Sequence, residues 1–263
     1  MVTNKNVEIG IIGGTGEMGK WCAEVFRRQG YVVHQSGRST GMSMEEMARR
    51  CAVVVVSVPM ESTADVIRRL GPLLDEGSLL MDLTSLKEEP VRLMLASTRA
   101  EVVGCHPLFG PLSTHPLELS IVLCPARVEK WASWPAEVFW AARVRVIETT
   151  PEHHDRVMAV VQGMNHLNTL LMSLLIKECG IGRQELEHFA TPLFRSKLFM
   201  VDRVTSGNTR MYAEIMAGNP HVSPLLDRYG GLFRELADLV SRGDGKTLAE
   251  RMDELNQDLN VLF

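Results

Sequence analysis

Val7-Glu8-Ile9-Gly10-Ile11-Ile12-Gly13-Gly14-Thr15-Gly16-Glu17-Met18-Gly19 opens the chain with a short apolar run that breaks into glycines. A helical stretch over 20–29 follows, and Gly30 is placed to cap it. Strand, G-x-G-x-x-G and helix in that order make a dinucleotide fingerprint, because the glycines let backbone approach a pyrophosphate at a helix N-terminus. Gly14, Thr15, Gly16, Glu17, Met18 and Gly19 are thus candidate cofactor-binding residues. The motif alone equally suits a tight β-α turn with no ligand; the flanking strand and helix favour the nucleotide.

The next expected strand, 31–35, ends where an NAD-specific protein places an acid against the ribose 2′-hydroxyl. Here the chain reads Ser36-Gly37-Arg38-Ser39-Thr40, with no carboxylate before Glu45. Ser36, Arg38 and Ser39 instead suit a 2′-phosphate, so NADP is favoured over NAD. The bland alternative is a solvated loop arginine.

Residues 51–58 form a continuous apolar run, as expected of a central parallel strand covered on both faces. It ends at Ser57-Val58-Pro59, where Ser57 and Pro59 meet the expected cofactor ribose. A helix is expected over 61–70 and a strand over 79–82, leading into Asp82-Leu83-Thr84-Ser85-Leu86-Lys87; Thr84 joins the cofactor set. Strands over 121–124 and 144–147 complete a sheet of about seven strands. The expected class is α/β: a Rossmann-type doubly wound, mostly parallel sheet over 1–149, then an all-helical domain over 150–263.

Gly104-Cys105-His106-Pro107-Leu108-Phe109-Gly110-Pro111 reads as a histidine in a loop of glycines and prolines. It follows the glycine motif by about ninety residues, the span of roughly three or four β-α units. A histidine there can accept a hydroxyl proton while a hydride leaves the same carbon. The pairing points to a dehydrogenase, with Ser57, Ser85 and His106 delivered to one sheet edge.

Bulk composition narrows the partners. The 263 residues suit two domains, and 45% hydrophobic with 23% charged residues is ordinary for a globular enzyme. A net charge of −4 gives no reason to expect nucleic acid or an anionic membrane. Five scattered cysteines, at 22, 51, 105, 124 and 179, read as buried thiols of a reducing compartment rather than a disulfide framework or a metal site. The N-terminus shows no signal-peptide pattern, so a cytoplasmic location is expected.

Thr149-Thr150-Pro151-Glu152 supplies helix-start signals at the expected domain boundary. Residues 157–176 then run without a charge, long enough for a membrane span. Gln162, Asn165, His166, Asn168, Thr169 and Ser173 interrupt the run, so a helix buried by protein on most sides is expected instead. Its excess of apolar surface suggests a homodimer. Further helices are expected over 183–188, 191–205, 210–217, 223–242 and 246–262.

Together these residues resemble the prephenate dehydrogenase family, in the branch fused to chorismate mutase. The resemblance is carried by the glycine motif, Ser57-Val58-Pro59, Asp82 to Lys87 and Gly104 to Pro111. In the helical half it is carried by Glu152-His153-His154-Asp155, Gln162 to His166, Thr191 to Arg195, Met200 to Arg203 and Met211 to Ile215. It implies oxidative decarboxylation of prephenate to 4-hydroxyphenylpyruvate in tyrosine biosynthesis, with hydride transfer to NAD(P)+. It also implies that His106 accepts the 4-hydroxyl proton, Ser85 orients that histidine or the nicotinamide, and Arg203 binds a substrate carboxylate. His166 becomes a second site histidine, and Arg195 either lines the site or supports the dimer.

The chain departs from that branch in places. No mutase portion or regulatory domain is matched, so neither mutase activity nor feedback through such a domain is expected. Leu112-Ser113-Thr114-His115-Pro116 differs from a more glycine- and serine-rich form, which leaves arogenate and 4-amino-4-deoxyprephenate open as substrates. A non-catalytic nucleotide sensor is the reading from another class; it has no need of a proton acceptor and a carboxylate clamp together. β-Hydroxyacid dehydrogenases and imine reductases share the architecture without the histidine motif.

Overall fold

Runs of β-branched residues too continuous for a half-exposed strand drive the first half of the chain into a sheet covered on both faces. The computed structural model describes residues 7–37, 42–110 and 119–262; Arg38, Ser39 and the 111–118 segment lie outside the described residues. The strands are β1 (Glu8–Ile12), β2 (Val32–Ser36), β3 (Val53–Val56), β4 (Leu79–Asp82), β5 (Glu101–Pro107), β6 (Ser120–Arg127) and β7 (Arg145–Glu148). They form one sheet in the order β2-β1-β3-β4-β5-β6-β7. Among the described residues only the β5–β6 pairing is antiparallel, so the sheet is doubly wound and mostly parallel as expected.

Helices α1 (Glu17–Arg28), α2 (Met44–Arg50), α3 (Met60–Leu70), α4 (Glu88–Ser97) and α5 (Trp134–Ala141) cover the two faces. Alternation along β3 sends Val53 and Val55 into one core and Val54 and Val56 into the other. The first core adds a layer of Phe26, Trp131, Trp134 and Phe139; the second adds Met47, Ile67, Leu70 and Met94. Strand order reverses between β1 and β3, and ligands of such sheets bind beyond the carboxyl ends at that switch point.

Two compact units divide the chain, Met1–Asn219 and Pro220–Phe263. The change from sheet to helices near residue 150 falls inside the first, because the helices that follow are tied back to the sheet. They are α6 (Pro151–Met158), a π-helical segment (Ala159–Met164), α7 (Asn165–Cys179), α8 (Arg183–Phe189), α9 (Pro192–Ser206) and α10 (Thr209–Gly218). Thr150 caps α6, its hydroxyl accepting from the His153 amide at 3.2 Å. The Asp155 carboxylate of α6 accepts the Lys87 and Glu88 amides at the start of α4, at 2.8 and 2.9 Å. Asn219 donates its side-chain amide to the Asp155 carbonyl at 2.7 Å. The second unit is a hairpin of α11 (Ser223–Ser241) and α12 (Gly245–Leu262), turning at Gly243 with φ +67° and carrying an Arg251–Glu235 ion pair.

Two expectations are corrected here. The run Pro151–Cys179 is long and apolar enough to cross a membrane by length and composition, yet only 17% of its most apolar window is buried. Val157, Val160, Val161, Leu171, Leu174 and Leu175 stand exposed, so one copy of the chain does not bury this helix. Among the cysteines, all are free and four are buried, but Cys179 is exposed at the end of α7.

At the sheet centre, Lys87 and Asp82 form a fully buried ion pair. The same ammonium donates to the Cys105 carbonyl of β5 at 2.8 Å. Removing one partner strands the other charge in the core, at a cost of about 3–5 kcal/mol. Lys87→Met is expected to lower unfolding free energy by that amount in urea titration; a loss below about 1 kcal/mol would show that water reaches the pair.

Candidate active site

The glycine turn is built by close backbone approach. Gly13 has φ +79°, and a Cβ there would sit 2.2 Å from the Ser57 carbonyl oxygen. A Cβ on Gly19 would sit 2.6 Å from the Gly13 oxygen, so α1 packs directly on the turn. The Gly13 and Gly14 amides donate to the Ser36 carbonyl at 2.9 and 3.0 Å, and Gln35 donates its side-chain amide to the Gly14 carbonyl. At the tip, Thr15, Gly16 and Glu17 are exposed, and Gly16 caps α1 without any side-chain bond to the helix amides. An exposed helix N-terminus with a glycine cradle fits a dinucleotide pyrophosphate. Met18 is half-buried and Gly19 buried behind it.

Beyond β3, the Ser57 amide donates to the Ile12 carbonyl at 2.8 Å, which fixes Ser57 beside the glycine turn; Pro59 caps α3. Beyond β4, the Thr84 hydroxyl bonds Asp82 and the Leu86 carbonyl, so this side chain is engaged within its own turn. Ser85 is half-buried on the same turn, and none of the described hydrogen bonds joins it to His106.

His106 lies within β5 rather than in a loop, and is 3% exposed. Strand pairing on both sides, Asp82↔Gly104 toward β4 and His106↔Val122 toward β6, holds it at the carboxyl edge. Its Nδ1 lies 2.9 Å from His154 Nε2, and His154 Nδ1 lies 2.6 Å from Asp155 Oδ1. On the other side of the ring, Gln162 Nε2 is 3.4 Å from His106 Nε2, and Gln162 Oε1 is buried with no partner among the described residues. Gln162 sits on the π-helical turn, a local widening frequent at functional sites. An orphaned acceptor beside a buried imidazole fits a ligand that brings its own donor.

The remaining candidates separate. Arg203 reaches the strand exit, its Nη2 3.5 Å from where a Cβ on Gly110 would lie. His166 packs edge-on against Tyr212 at 4.7 Å and is half-buried. Arg195 is exposed about 12 Å along α9 from Arg203. Trp21 of α1 meets Phe109 edge-on at 4.9 Å, linking the helix opened by the glycine turn to the segment leaving His106. Reading the sequence alone did not assign roles to His154, Asp155, Lys87, Gln35 or Tyr212. His154-Asp155 and Lys87 stood inside quoted motifs, and no spacing rule links residues brought together from β5 and α6.

The family model for the prephenate dehydrogenase nucleotide-binding domain matches residues 35–127, and that for the prephenate dehydrogenase dimerization domain matches residues 150–254. The chain belongs to the prephenate dehydrogenase family. The "Probable arogenate/prephenate dehydrogenase" of Methanocaldococcus jannaschii is 30% identical over 95% of this chain and 60% of its own length. The T-protein of Enterobacter agglomerans is 30% identical over 94% of this chain and 66% of its own length. The chain thus spans less than two thirds of these two relatives. The 4-amino-4-deoxyprephenate dehydrogenase of Streptomyces pristinaespiralis is 27% identical over 93% of this chain and 88% of its own length. Among solved structures, the prephenate dehydrogenase of A. aeolicus in complex with hydroxyphenyl propionate and NAD+ superposes with a TM-score of 0.77 at 19% identity, covering 99% of this chain and all of that one. Synechocystis arogenate dehydrogenase gives 0.76 at 18%, over 98% and 100%. These likenesses fix the family fold; the glycine turn precedes the matched 35–127 range and rests on its own geometry.

Burial holds the His106 imidazole well below the usual histidine range, with His154 and Lys87 adding to the effect. Ring titration by NMR should therefore find His106 neutral at pH values below its ordinary pKa of about 6.5. A midpoint at or above that value would contradict the burial described.

Proposed function

We propose that this chain oxidatively decarboxylates prephenate to 4-hydroxyphenylpyruvate, using NADP+ in preference to NAD+. One observation carries the reading: a neutral, buried histidine at the end of β5 shares its sheet edge with a glycine cradle at the switch point. A bound nicotinamide supplies the acceptor for the hydride leaving ring C4. His106 takes the proton of the 4-hydroxyl as that carbon becomes carbonyl-like, and loss of CO₂ from C1 restores aromaticity. Arg203 holds a carboxylate bidentately near the strand exit, and burial around His106 keeps water from competing for its lone pair. His166, backed by Tyr212, closes the substrate side. Ser85 stands at the same edge to orient the reacting groups. The names of the relatives keep arogenate and 4-amino-4-deoxyprephenate as the alternative substrates.

Preference for NADP+ rests on the end of β2, where Ser36 and Gly37 replace an acid and Arg38 and Ser39 follow. The exposed apolar faces of α7 and α9, including Leu171, Leu174, Leu193 and Phe199, with Phe189 at the end of α8, support a homodimer whose second copy covers them. A cytoplasmic location accords with this chemistry.

Reduced-nicotinamide absorbance with each of the three substrates and both cofactors tests the reading. Prephenate with NADP+ is expected to give the highest kcat/KM, and His106→Asn to lower kcat by roughly 10²–10⁴ with cofactor Kd unchanged. Absence of turnover with every pair would overturn it. Arg38→Ala should weaken NADP+ by about 1.5–3 kcal/mol and spare NAD+; equal losses would show that Arg38 does not read the 2′-phosphate. Light scattering should return about twice the chain mass, whereas a monomer would contradict the dimer.

A further inference from the structure

A buried imidazole is a poor resting place for a proton, because the charged form has lost its water. His106 does not stand alone, however. The hydrogen bonds around it can be given directions from one fixed end. Asp155 accepts the backbone amides of Lys87 and Glu88, which can only donate, so its carboxylate is held as an acceptor at the positive end of α4. His154 Nδ1, 2.6 Å from Asp155 Oδ1, must then carry hydrogen. In neutral His154 this leaves Nε2 as an acceptor, and it faces His106 Nδ1 at 2.9 Å. His106 Nδ1 therefore donates, and His106 Nε2 keeps its lone pair. That lone pair faces the Gln162 amide nitrogen, whose 3.4 Å separation marks a weak contact that a substrate hydroxyl can displace.

We propose that His154 and Asp155 are positioning residues that hold His106 in the Nδ1–H tautomer and receive the proton it displaces when it accepts one from substrate. The proposal rests on the dehydrogenase reading above. In the step, the substrate O–H bond breaks and a His106 Nε2–H bond forms, while the electron pair leaves C4 as hydride to NAD(P)+. The His106 Nδ1–H bond breaks and a His154 Nε2–H bond forms. His154 becomes the imidazolium, paired with the Asp155 carboxylate, so His106 ends neutral and the charge rests on a buried pair rather than an isolated ring. Lys87, paired with Asp82, faces this array from the β4 turn and adds to the penalty on a charge held at His106.

Asp155 Oδ1 takes both the Lys87 amide and His154 Nδ1, and Oδ2 takes the Glu88 amide, so Asp155→Ala removes the acceptor that fixes the direction of the array. His154 can then take either tautomer, and His106 Nε2 is no longer held as an acceptor. Ring-¹⁵N NMR of the full chain should show Nδ1–H at both histidines, and a mixture of tautomers at both in Asp155→Ala. kcat should fall by about tenfold or more, with KM changed less than about threefold. His154→Gln, which can accept from His106 and donate to Asp155 but cannot pass a proton, should keep Nδ1–H at His106 and still lose about tenfold or more in kcat. If Asp155→Ala does not fold, His154→Gln decides. Nε2–H at His106 in the unsubstituted chain, or wild-type kcat in His154→Gln, would overturn the proposal. Failure of the underlying reading shows separately, as an unsubstituted chain that turns over no substrate, and the ring spectra still decide the array.

Discussion

The buried pair between Lys87 and Asp82 is the interaction on which the site depends. It sits where β4 ends, and the same ammonium reaches the Cys105 carbonyl of β5, one residue before His106. Asp82 meanwhile accepts the Cys105 amide at 3.2 Å and the Thr84 amide at 2.9 Å. One lysine and one carboxylate thus clamp two strand ends and the turn between them. Desolvating both ions is expensive, and an apolar pair of similar volume would stabilise the fold as well or better. What the ions add is direction: the turn can close in one way, and it leaves the Lys87 and Glu88 amides facing Asp155.

That second contact joins the two halves of the first compact unit. Asp155 draws α6 onto α4, and the π-helical turn that follows brings Gln162 beside His106. On the opposite flank, Trp21 against Phe109 fixes the histidine segment to the helix opened by the glycine turn. The glycine turn and the His106 segment are therefore braced against each other by packing, although they lie far apart in sequence. Reaction geometry tolerates little slack, since effective molarity is lost within about an ångström of misplacement.

Much of this was legible beforehand, for physical reasons that vary with the element. β3 announced itself because a strand covered on both faces has no polar positions, and β4 is apolar up to Asp82 at its end. The glycine turn was legible because Gly13 and Gly19 have no room for a Cβ. Helices α2, α4 and α5 were not marked: α2 is short, α4 carries Pro90 in its first turn, and the exposed face of α5, Glu137, Trp140 and Ala141, carries a single charge. His106 looked like a loop residue because Pro107 and Gly110 flank it, whereas pairing with Val122 of β6 extends the strand through it. The His154–Asp155 array could not be read, because its members meet only when α6 folds back on β5. The apolar face of α7 was legible as such, but its exposure is a property of the single folded chain.

A crystal structure of the chain with NADP+ and a 4-hydroxyphenyl substrate analogue measures the central claim most directly. The ring hydroxyl is expected about 2.6–3.2 Å from His106 Nε2, with a carboxylate on Arg203. A ring bound with its hydroxyl away from His106, or a nicotinamide remote from the β5 edge, would contradict it.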